Sequence, residues 1–348
     1  MATKLKVGVV GCGTVVRLYH LPAWQTVSDV EVAAACDVNL QTAKNLRRDF
    51  PIGELHEDYR KLIDDPEIDI IDVATPNTLH APIVMEALEA GKHVLCEKPL
   101  ATTSDSIRRI GEAAEKAKGI LMVAQNLRFS PEAVAAKQFL EKQDLGAVYH
   151  ARVHAIRRNL LPPMSGFIDP ELSGGGPCMD IGVHALDLAL WLMKFPKPVR
   201  VSGKTAVNFA KGFSIPGGWG EWDRRLFGVE DFACGFVHFE SGGTMVVETS
   251  WLQHQKETEE ISVMLFGTEG SLQWPSGEFS TAVNRVLVDG KVRPTTGLHP
   301  SHTEEVHAFV DAIRNGKPSP VPWNESLQVI KILEGIYKSS KLGREIEI

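Results

Sequence analysis

The sequence predicts an α/β protein: a doubly wound parallel sheet of Rossmann type at the N-terminus, then an α/β domain on a large open, mostly antiparallel sheet. Three observations carry this. Short apolar runs alternate with helix-spaced segments through the first 125 residues, the pattern of a parallel sheet covered by helices on both faces. The first run ends at Gly11-Cys12-Gly13, where a helix begins. Beyond residue 125, strand-like runs follow one another with glycine turns between them. The expected division is therefore 1–125, a nucleotide-binding domain, and 126–348, a second domain.

Leu5–Val10 reads as a compact strand, Thr14–Trp24 as a helix closed by Pro22, and Val30–Cys36 as a strand. Asn39–Asp49 puts Leu40, Ala43 and Leu46 on one side of a helix. Ile68–Ala74 is an apolar strand, Thr78–Ala90 a helix ending at Gly91, and His93–Cys96 the next strand. Ser104–Ala117 is a helix capped by Ser104 and stopped by Gly119, and Ile120–Ala124 is a further strand. In the second domain, Pro131–Lys142 and Asp180–Met193 read as helices. Strands are expected at Ala147–Arg157, Val199–Val207, Ala233–Glu240, Thr244–Trp251, Ile261–Phe266, Gly270–Trp274 and Arg285–Val288. Gly242-Gly243 and Asp289-Gly290 are hairpin signals. His302–Asn315 and Glu325–Lys341 read as closing helices.

Composition narrows the function. The 348 residues are 43% hydrophobic and 23% charged, enough for sizeable cores and unlike a disordered chain. Thirty-seven basic residues against 44 acidic ones give a net charge of −7, with no basic patch to attract a nucleic acid. No apolar stretch approaches the ~18 residues that span a membrane. Val7–Val16 follows two lysines as a short signal sequence would, but three glycines interrupt it and no cleavage site follows promptly, so a strand and its turn are preferred. Five scattered cysteines without a C-x-x-C pair suit reduced thiols in a cytoplasmic protein.

Gly11 and Gly13 stand between a strand and a helix, the setting that dinucleotide binding requires. The first permits the tight turn, and the second lets the backbone approach a pyrophosphate. Thr14 and Val15 open the helix whose N-terminus attracts those phosphates. Val16 departs from the small third residue of the motif. Asp37 ends the second strand 24 residues after Gly13, where a carboxylate accepts hydrogen bonds from ribose hydroxyls and repels a 2′-phosphate. Val38 and Asn39 bring no compensating cation, so NAD is preferred to NADP. The plainer alternative makes Asp37 a helix cap. Ala74, Thr75 and Asn77 end a later strand, with His80 just beyond, at the edge where open α/β sheets bind ligands. Asn77 or Thr78 equally suits a helix cap.

Lys98 lies between Glu97 and Pro99 at the end of another strand. Beside a nicotinamide, its cation would orient a substrate hydroxyl and stabilise alkoxide character as hydride leaves. A solvated Glu97–Lys98 ion pair is the alternative. Asp180, His184 and Asp187 share one face of a helix, where carboxylates orient an imidazole for general-base work. Asp180 as a helix cap and His184 as a satisfied core residue remain open from spacing alone. There is no H-E-x-x-H, and His150 and His154 fall on a strand, so no metal is assigned. His150, Arg152, His154, Arg157 and Arg158 suit either an acidic sugar or a charged outer face.

Taken together these residues resemble the glucose–fructose oxidoreductase / inositol dehydrogenase / MocA (Gfo/Idh/MocA) family over nearly the whole chain. The resemblance rests on Gly11-Cys12-Gly13 with His20, on Ala74-Thr75-Pro76-Asn77 with His80, and on Ala90 through Leu100, which holds Glu97-Lys98-Pro99. It continues in Gly175-Gly176, Asp180-Ile181-Gly182-Val183-His184 and Asp187, and in Glu304, Phe309, Ile313 and Gly316 through Pro318. It implies an NAD-dependent sugar or polyol dehydrogenase, with NADP the less favoured cofactor. Lys98 would align cofactor and substrate, His184 take the hydroxyl proton and Asp180 orient it. Asn126 and Arg128 match a family segment at the domain junction, and are expected at cofactor and substrate respectively. The active site is expected in a cleft between the domains. Residues 126–348 would bind substrate and, through the free face of the sheet, form a homodimer or homotetramer. Two other readings are a glycoside-cleaving enzyme that oxidises its substrate transiently, and a nucleotide-binding regulator without turnover. Gly212–Asp231, with Trp219, Trp222, Arg224 and Arg225, fits no pattern: a lid, a sugar-stacking loop and a long hairpin are equally open.

Overall fold

Runs such as Ile70-Ile71-Asp72-Val73 bury both faces of a strand, and this places them inside a parallel sheet rather than on an open one. The computed structural model describes residues 4–142, 145–212, 214–295 and 299–348. They form two units. One gathers Met1–Ala101, Asp105–Phe129 and Leu298–Ser326; the other gathers Thr102–Ser104, Ser130–Gly297 and Leu327–Ile348.

The first unit holds β1 (Leu5–Val10), β2 (Val30–Cys36), β3 (Glu54–His56), β4 (Ile70–Val73), β5 (His93–Glu97) and β6 (Leu121–Ala124). Their order is β3-β2-β1-β4-β5-β6, and every pair is parallel. The order reverses direction between β1 and β4, the switch point at which such sheets open a crevice at the strands' carboxyl ends. Val7, Val9, Ile70, Ile71, Leu95 and Val123 form the sheet's core and are fully buried. The expected strands and helices of this region are present. The short β3 and the turn of helix Arg60–Ile63 lacked a periodic signal.

Two local expectations are corrected. Pro22 does not close the first helix. The helix passes through a π-helical segment, Val16–His20, and continues as Leu21–Trp24, so the proline sits early in that last turn, where its missing N–H is tolerated. Asp37 does not cap the following helix; Asn39 does, accepting from Gln41 N.

The second unit carries β7 (Val148–Arg157), β8 (Pro198–Ala206), β9 (Phe232–Phe239), β10 (Thr244–Ser250), β11 (Glu259–Gly267), β12 (Gly270–Trp274), β13 (Glu278–Val283), β14 (Val286–Lys291) and β15 (Ile346–Glu347). The sheet runs β14-β13-β12-β11-β7-β10-β9-β8-β15. Among the described residues of this sheet, only β7 and β10 pair in parallel. Gly242-Gly243 makes the β9–β10 turn, as expected. Asp289-Gly290 does not turn the chain but lies within β14. The turn is at Asn284-Arg285, whose φ values of 51° and 66° place both in the left-handed region that a tight hairpin demands. Ala151, Val153 and Ala155 alternate along β7 as its buried face, against which the helix Val183–Leu192 packs. His150, Arg152 and His154 occupy the other face.

Candidate active site

At the end of β1 the chain turns so tightly that Gly11 adopts φ +94°, and a Cβ there would lie 2.3 Å from Ala74 O. Only glycine fits. Gly13 is constrained differently: a Cβ there would meet nothing within 4 Å, so the space in front of its backbone is reserved by nothing in the chain itself. That is the open approach a pyrophosphate needs, next to the exposed Thr14 and the half-buried Val15. Val16 is completely buried, and the π-helical segment begins at it.

Asp37 stands against this turn. Its carboxylate accepts the Cys12 N–H at 3.0 Å and the Asn39 N–H at 2.9 Å. Val38 beside it is 88% exposed, so no side chain screens the carboxylate from that direction. Across the switch point, Ala74, Thr75 and Asn77 follow β4 and are half-buried. Thr75 Oγ1 and, at the end of β6, Gln125 Oε1 are buried without a hydrogen-bond partner among the described residues. Orphaned polar atoms at the carboxyl edge suit a bound polar ligand. Gly11, Gly13, Asp37 and Thr75 thus fit a dinucleotide.

His80 serves these loops from beneath. It is buried, with Nδ1 2.8 Å from Pro99 O and Nε2 2.8 Å from Thr75 O. Burial lowers its pKa, although both carbonyls pull the other way. It ties the loop after β4 to the loop after β5.

Sequence reasoning did not foresee the partners of Glu97. The side chain is buried, so the solvated ion pair with Lys98 does not exist in that form. Its Oε1 lies 2.9 Å from His20 Nε2, and its Oε2 accepts the Lys98 N–H at 3.1 Å. The opposite ring nitrogen of His20 lies 3.0 Å from Asp72, whose carboxylate also accepts Trp24 Nε1–H at 2.8 Å. Burial pushes the His20 pKa down, but the two carboxylates reverse this and raise it well above the usual value. Burial pushes Glu97 up, but the His20 hydrogen bond and charge, aided by Lys98, bring it down to about 2. The result is a buried carboxylate–imidazolium–carboxylate chain ending at the backbone of Lys98. His302 stacks on Tyr19 with ring centroids 4.3 Å apart. Its pKa falls to about 4 through burial and through the charges of His20 and Lys98, against the pull of Glu97.

Asn126 donates to Ser301 Oγ at 3.2 Å. Arg128 is 3% exposed and ion-paired with Glu325, which ties the turn Asn126–Phe129 to the helix Trp323–Leu342.

In the second unit, Asp180 and His184 belong to one continuous helical stretch. It opens with a second π-helical segment, Cys178–Gly182, and continues as Val183–Leu192. Asp180 is therefore inside the helix rather than its cap. Its Oδ2 accepts Trp251 Nε1–H at 3.0 Å and faces Arg157 Nη1 at 3.4 Å. His184 is half-buried and Asp187 is buried. Glu230 holds the start of this stretch, accepting the N–H groups of Gly176 and Cys178 and the Tyr337 hydroxyl at 2.7 Å. Burial raises the Glu230 pKa, opposed by those donors. A buried acid in a segment without periodicity carries no local signal, so Glu230 was legible only from the structure.

The NAD-binding Rossmann model of an oxidoreductase family, GFO_IDH_MocA, matches residues 5–125, and the C-terminal domain model of the same family matches residues 133–273. The chain is 29% identical over 356 residues to a D-glucoside 3-dehydrogenase of Escherichia coli (strain K12), covering 100% of this chain and 98% of that one. It is 29% identical over 352 residues to D-xylose 1-dehydrogenase (NADP(+)) 2 of Haloferax volcanii, covering 98% and 99%. Among solved structures, a levoglucosan dehydrogenase in complex with NADH and levoglucosan superimposes with a TM-score of 0.83 at 25% identity, covering 99% of each chain.

Proposed function

The chain belongs to the Gfo/Idh/MocA oxidoreductase family, and from that premise we propose that it is an NAD-dependent dehydrogenase acting reversibly on a secondary alcohol of a sugar, sugar derivative or polyol. One observation carries the reading. Gly11, Thr75 and Lys98 follow the carboxyl ends of β1, β4 and β5, three neighbouring strands at the switch point of the parallel sheet. A nucleotide cradle and a cation thereby share one edge.

When bound, a nicotinamide nucleotide supplies the hydride acceptor. The backbone of Gly11 through Val15 would hold its pyrophosphate, and Asp37 its ribose hydroxyls. Ala74, Thr75, Asn77 and Asn126 would line its path toward Glu97 and Lys98. Lys98 places a cation at the substrate oxygen, where negative charge develops as the C–H bond breaks. His184 Nε2 or Nδ1 takes the hydroxyl proton, and Asp180 orients substrate and imidazole. His80 and Arg128 contribute by fixing the loops that carry these groups. The open face of the second sheet is the surface through which copies of the chain would associate.

The test is direct. Purified protein is incubated with NAD and a panel of pyranosides, free sugars and inositols, and nicotinamide reduction is followed by absorbance. Reduction with at least one sugar or polyol supports the assignment. Binding of NAD without turnover of any substrate would favour a regulator instead.

A further inference from the structure

The segment between β8 and β9 closes on itself. Asp231 is fully buried, and its carboxylate accepts the N–H groups of Asn208, Phe209 and Ala210 at 2.7 to 3.0 Å. Trp222 fills the interior of the loop, 4% exposed, and donates Nε1–H to Ala210 O at 2.7 Å. The ends of the segment are thus locked together, with Trp222 packed inside. This is the construction of a fixed wall, not of a lid.

Trp219 stands at the outer turn of this wall. Gly217-Gly218-Trp219-Gly220 bends so sharply that a Cβ on Gly217 would lie 2.2 Å from Gly220 O. The turn is fastened to the end of β7: Gly218 N–H donates to Asn159 O at 2.7 Å, and Asn159 Nδ2–H donates to Pro216 O at 3.2 Å. The indole lies over the Arg157 guanidinium, 4.7 Å from ring centroid to carbon, yet 49% of the residue is exposed. The guanidinium packs on the ring, and about half of the residue stays open to solvent. Arg157 in turn reaches Glu259 at 2.7 Å and Asp180 at 3.4 Å. It follows the alternation of Ala151, Val153 and Ala155, and so projects from the face of β7 that carries the Asp180–His184 helix.

Two carboxylates already balance the charge of Arg157, so the indole is not needed for that. An indole on a turn hydrogen-bonded to the end of β7, half exposed and resting on a guanidinium that also reaches Asp180, offers a flat apolar surface for a stacked ring. The apolar C–H face of a pyranose, or an aryl ring, is its natural complement. Arg157 contacts both Trp219 and Asp180, so a ring stacked on the indole would be the neighbour of the ring whose hydroxyl reaches Asp180.

We propose that Trp219 is an outer stacking subsite for a second ring attached to the sugar being oxidised, and that the protein therefore favours glycosides over free monosaccharides. This rests on the sugar-oxidoreductase reading above.

The experiment compares wild type with Trp219→Ala and Trp219→Phe on phenyl glycosides and on the corresponding free sugars. The quantity read is the ratio of kcat/KM for the two-ring over the one-ring substrate. Trp219→Ala should lower that ratio about tenfold, mainly through KM, and Trp219→Phe should recover most of it. An unchanged ratio overturns the subsite, whatever happens to the absolute rates. Calorimetric titration of NADH-loaded protein with a phenyl glycoside separates this from failure of the chemistry. Tighter binding by wild type than by Trp219→Ala, without hydride transfer to NAD, keeps the subsite and removes the dehydrogenase. Equal binding, or none to either protein, removes the subsite.

Discussion

His20 lies between two acids, and its contact with Glu97, 2.9 Å from Nε2 to Oε1, sets the charge beneath Lys98. The imidazole is paired with Asp72 on one side and Glu97 on the other, and all three side chains are buried. Glu97 spends its second oxygen on the Lys98 N–H. The backbone that presents the proposed catalytic lysine is therefore held by a charge balance set up at Asp72, inside β4.

Replacing His20 with Ala leaves two buried carboxylates facing each other without a cation. Removing one partner of a buried ion pair costs about 3–5 kcal/mol. Urea unfolding near neutral pH should show a loss of that size. A loss below about 1 kcal/mol would mean that water or another group replaces the imidazole.

The same variant should reverse a pH dependence. In wild type the Glu97 pKa is lowered from 4.5 to about 2, so its contribution is complete above pH 4.5 and is lost as pH falls toward 2. The His20 pKa is raised above 6.5, so its contribution is complete below pH 6.5 and is lost as pH rises through the folded-state value. Without His20, burial dominates and lifts the folded-state pKa of Glu97 above its unfolded value. An acid shifted that way gains stability as pH falls. The gap in urea midpoint between wild type and His20→Ala should therefore narrow from about pH 5.5, below which His20 is charged in both folded and unfolded wild type, to about pH 3.5. A gap that is constant or widens over this window contradicts the charged triad.

Lys98→Ala and His184→Ala should each lower turnover by about 10²-fold or more, the size of one acid–base or electrostatic contribution. Circular dichroism and NAD titration should show that fold and cofactor binding persist. Near-normal turnover in both variants would place the chemistry on other residues.

Much of this was legible in the sequence, because it followed local rules. The alternation of apolar and helix-spaced runs located the strands of the parallel sheet, and Gly11-Cys12-Gly13 and Asp37 marked the ends of its first two strands. The hairpin at Asp289-Gly290 was misread, since dipeptide turn signals do not report register. The chain instead turned at Asn284-Arg285, where two non-glycine residues accept positive φ. The partners of His20 were missed for a different reason. Asp72 is 52 residues away and Glu97 is 77, so only the fold brings them together. A signal existed nonetheless: Asp72 sits in an otherwise apolar buried strand, and a charge there requires a partner. Glu230 and Asp231 lay unnoticed at the end of a segment without periodicity, where each proved to hold several backbone N–H groups.

Glu230→Gln should test how firmly the helix of Asp180 and His184 is seated. The carboxylate accepts two N–H groups and a hydroxyl, one N–H on each oxygen, and an amide places an NH₂ against one of those donors. A buried donor left unsatisfied costs about 1–3 kcal/mol, so thermal or urea unfolding should register a loss of that size. Turnover should fall further than nucleotide affinity, because the disturbed helix carries the proposed base. Unchanged stability would show that Tyr337 alone seats this end of the helix.

Cofactor choice turns on Asp37. Its carboxylate is fixed by the N–H groups of Cys12 and Asn39, hard against the glycine turn, and so cannot swing away from a nucleotide bound there. A ribose hydroxyl can donate to it, whereas a 2′-phosphate meets like charge. Val38 and Asn39 are exposed and uncharged. Arg47 donates to Gly53 O at 3.3 Å, which holds it at the far end of its helix from Asp37. NAD should therefore bind at least tenfold more tightly than NADP, a difference of about 1.4 kcal/mol. The Haloferax relative carries NADP(+) in its name and the levoglucosan dehydrogenase structure is a complex with NADH, so the measurement is needed. Asp37→Ser should shrink the preference by removing the repulsion, with NADP gaining more than NAD loses. Fluorescence or calorimetric titration of both nucleotides against both proteins reads this directly. Equal or tighter NADP binding by wild type would overturn the role given to Asp37 while leaving Gly11 and Gly13 as the phosphate cradle.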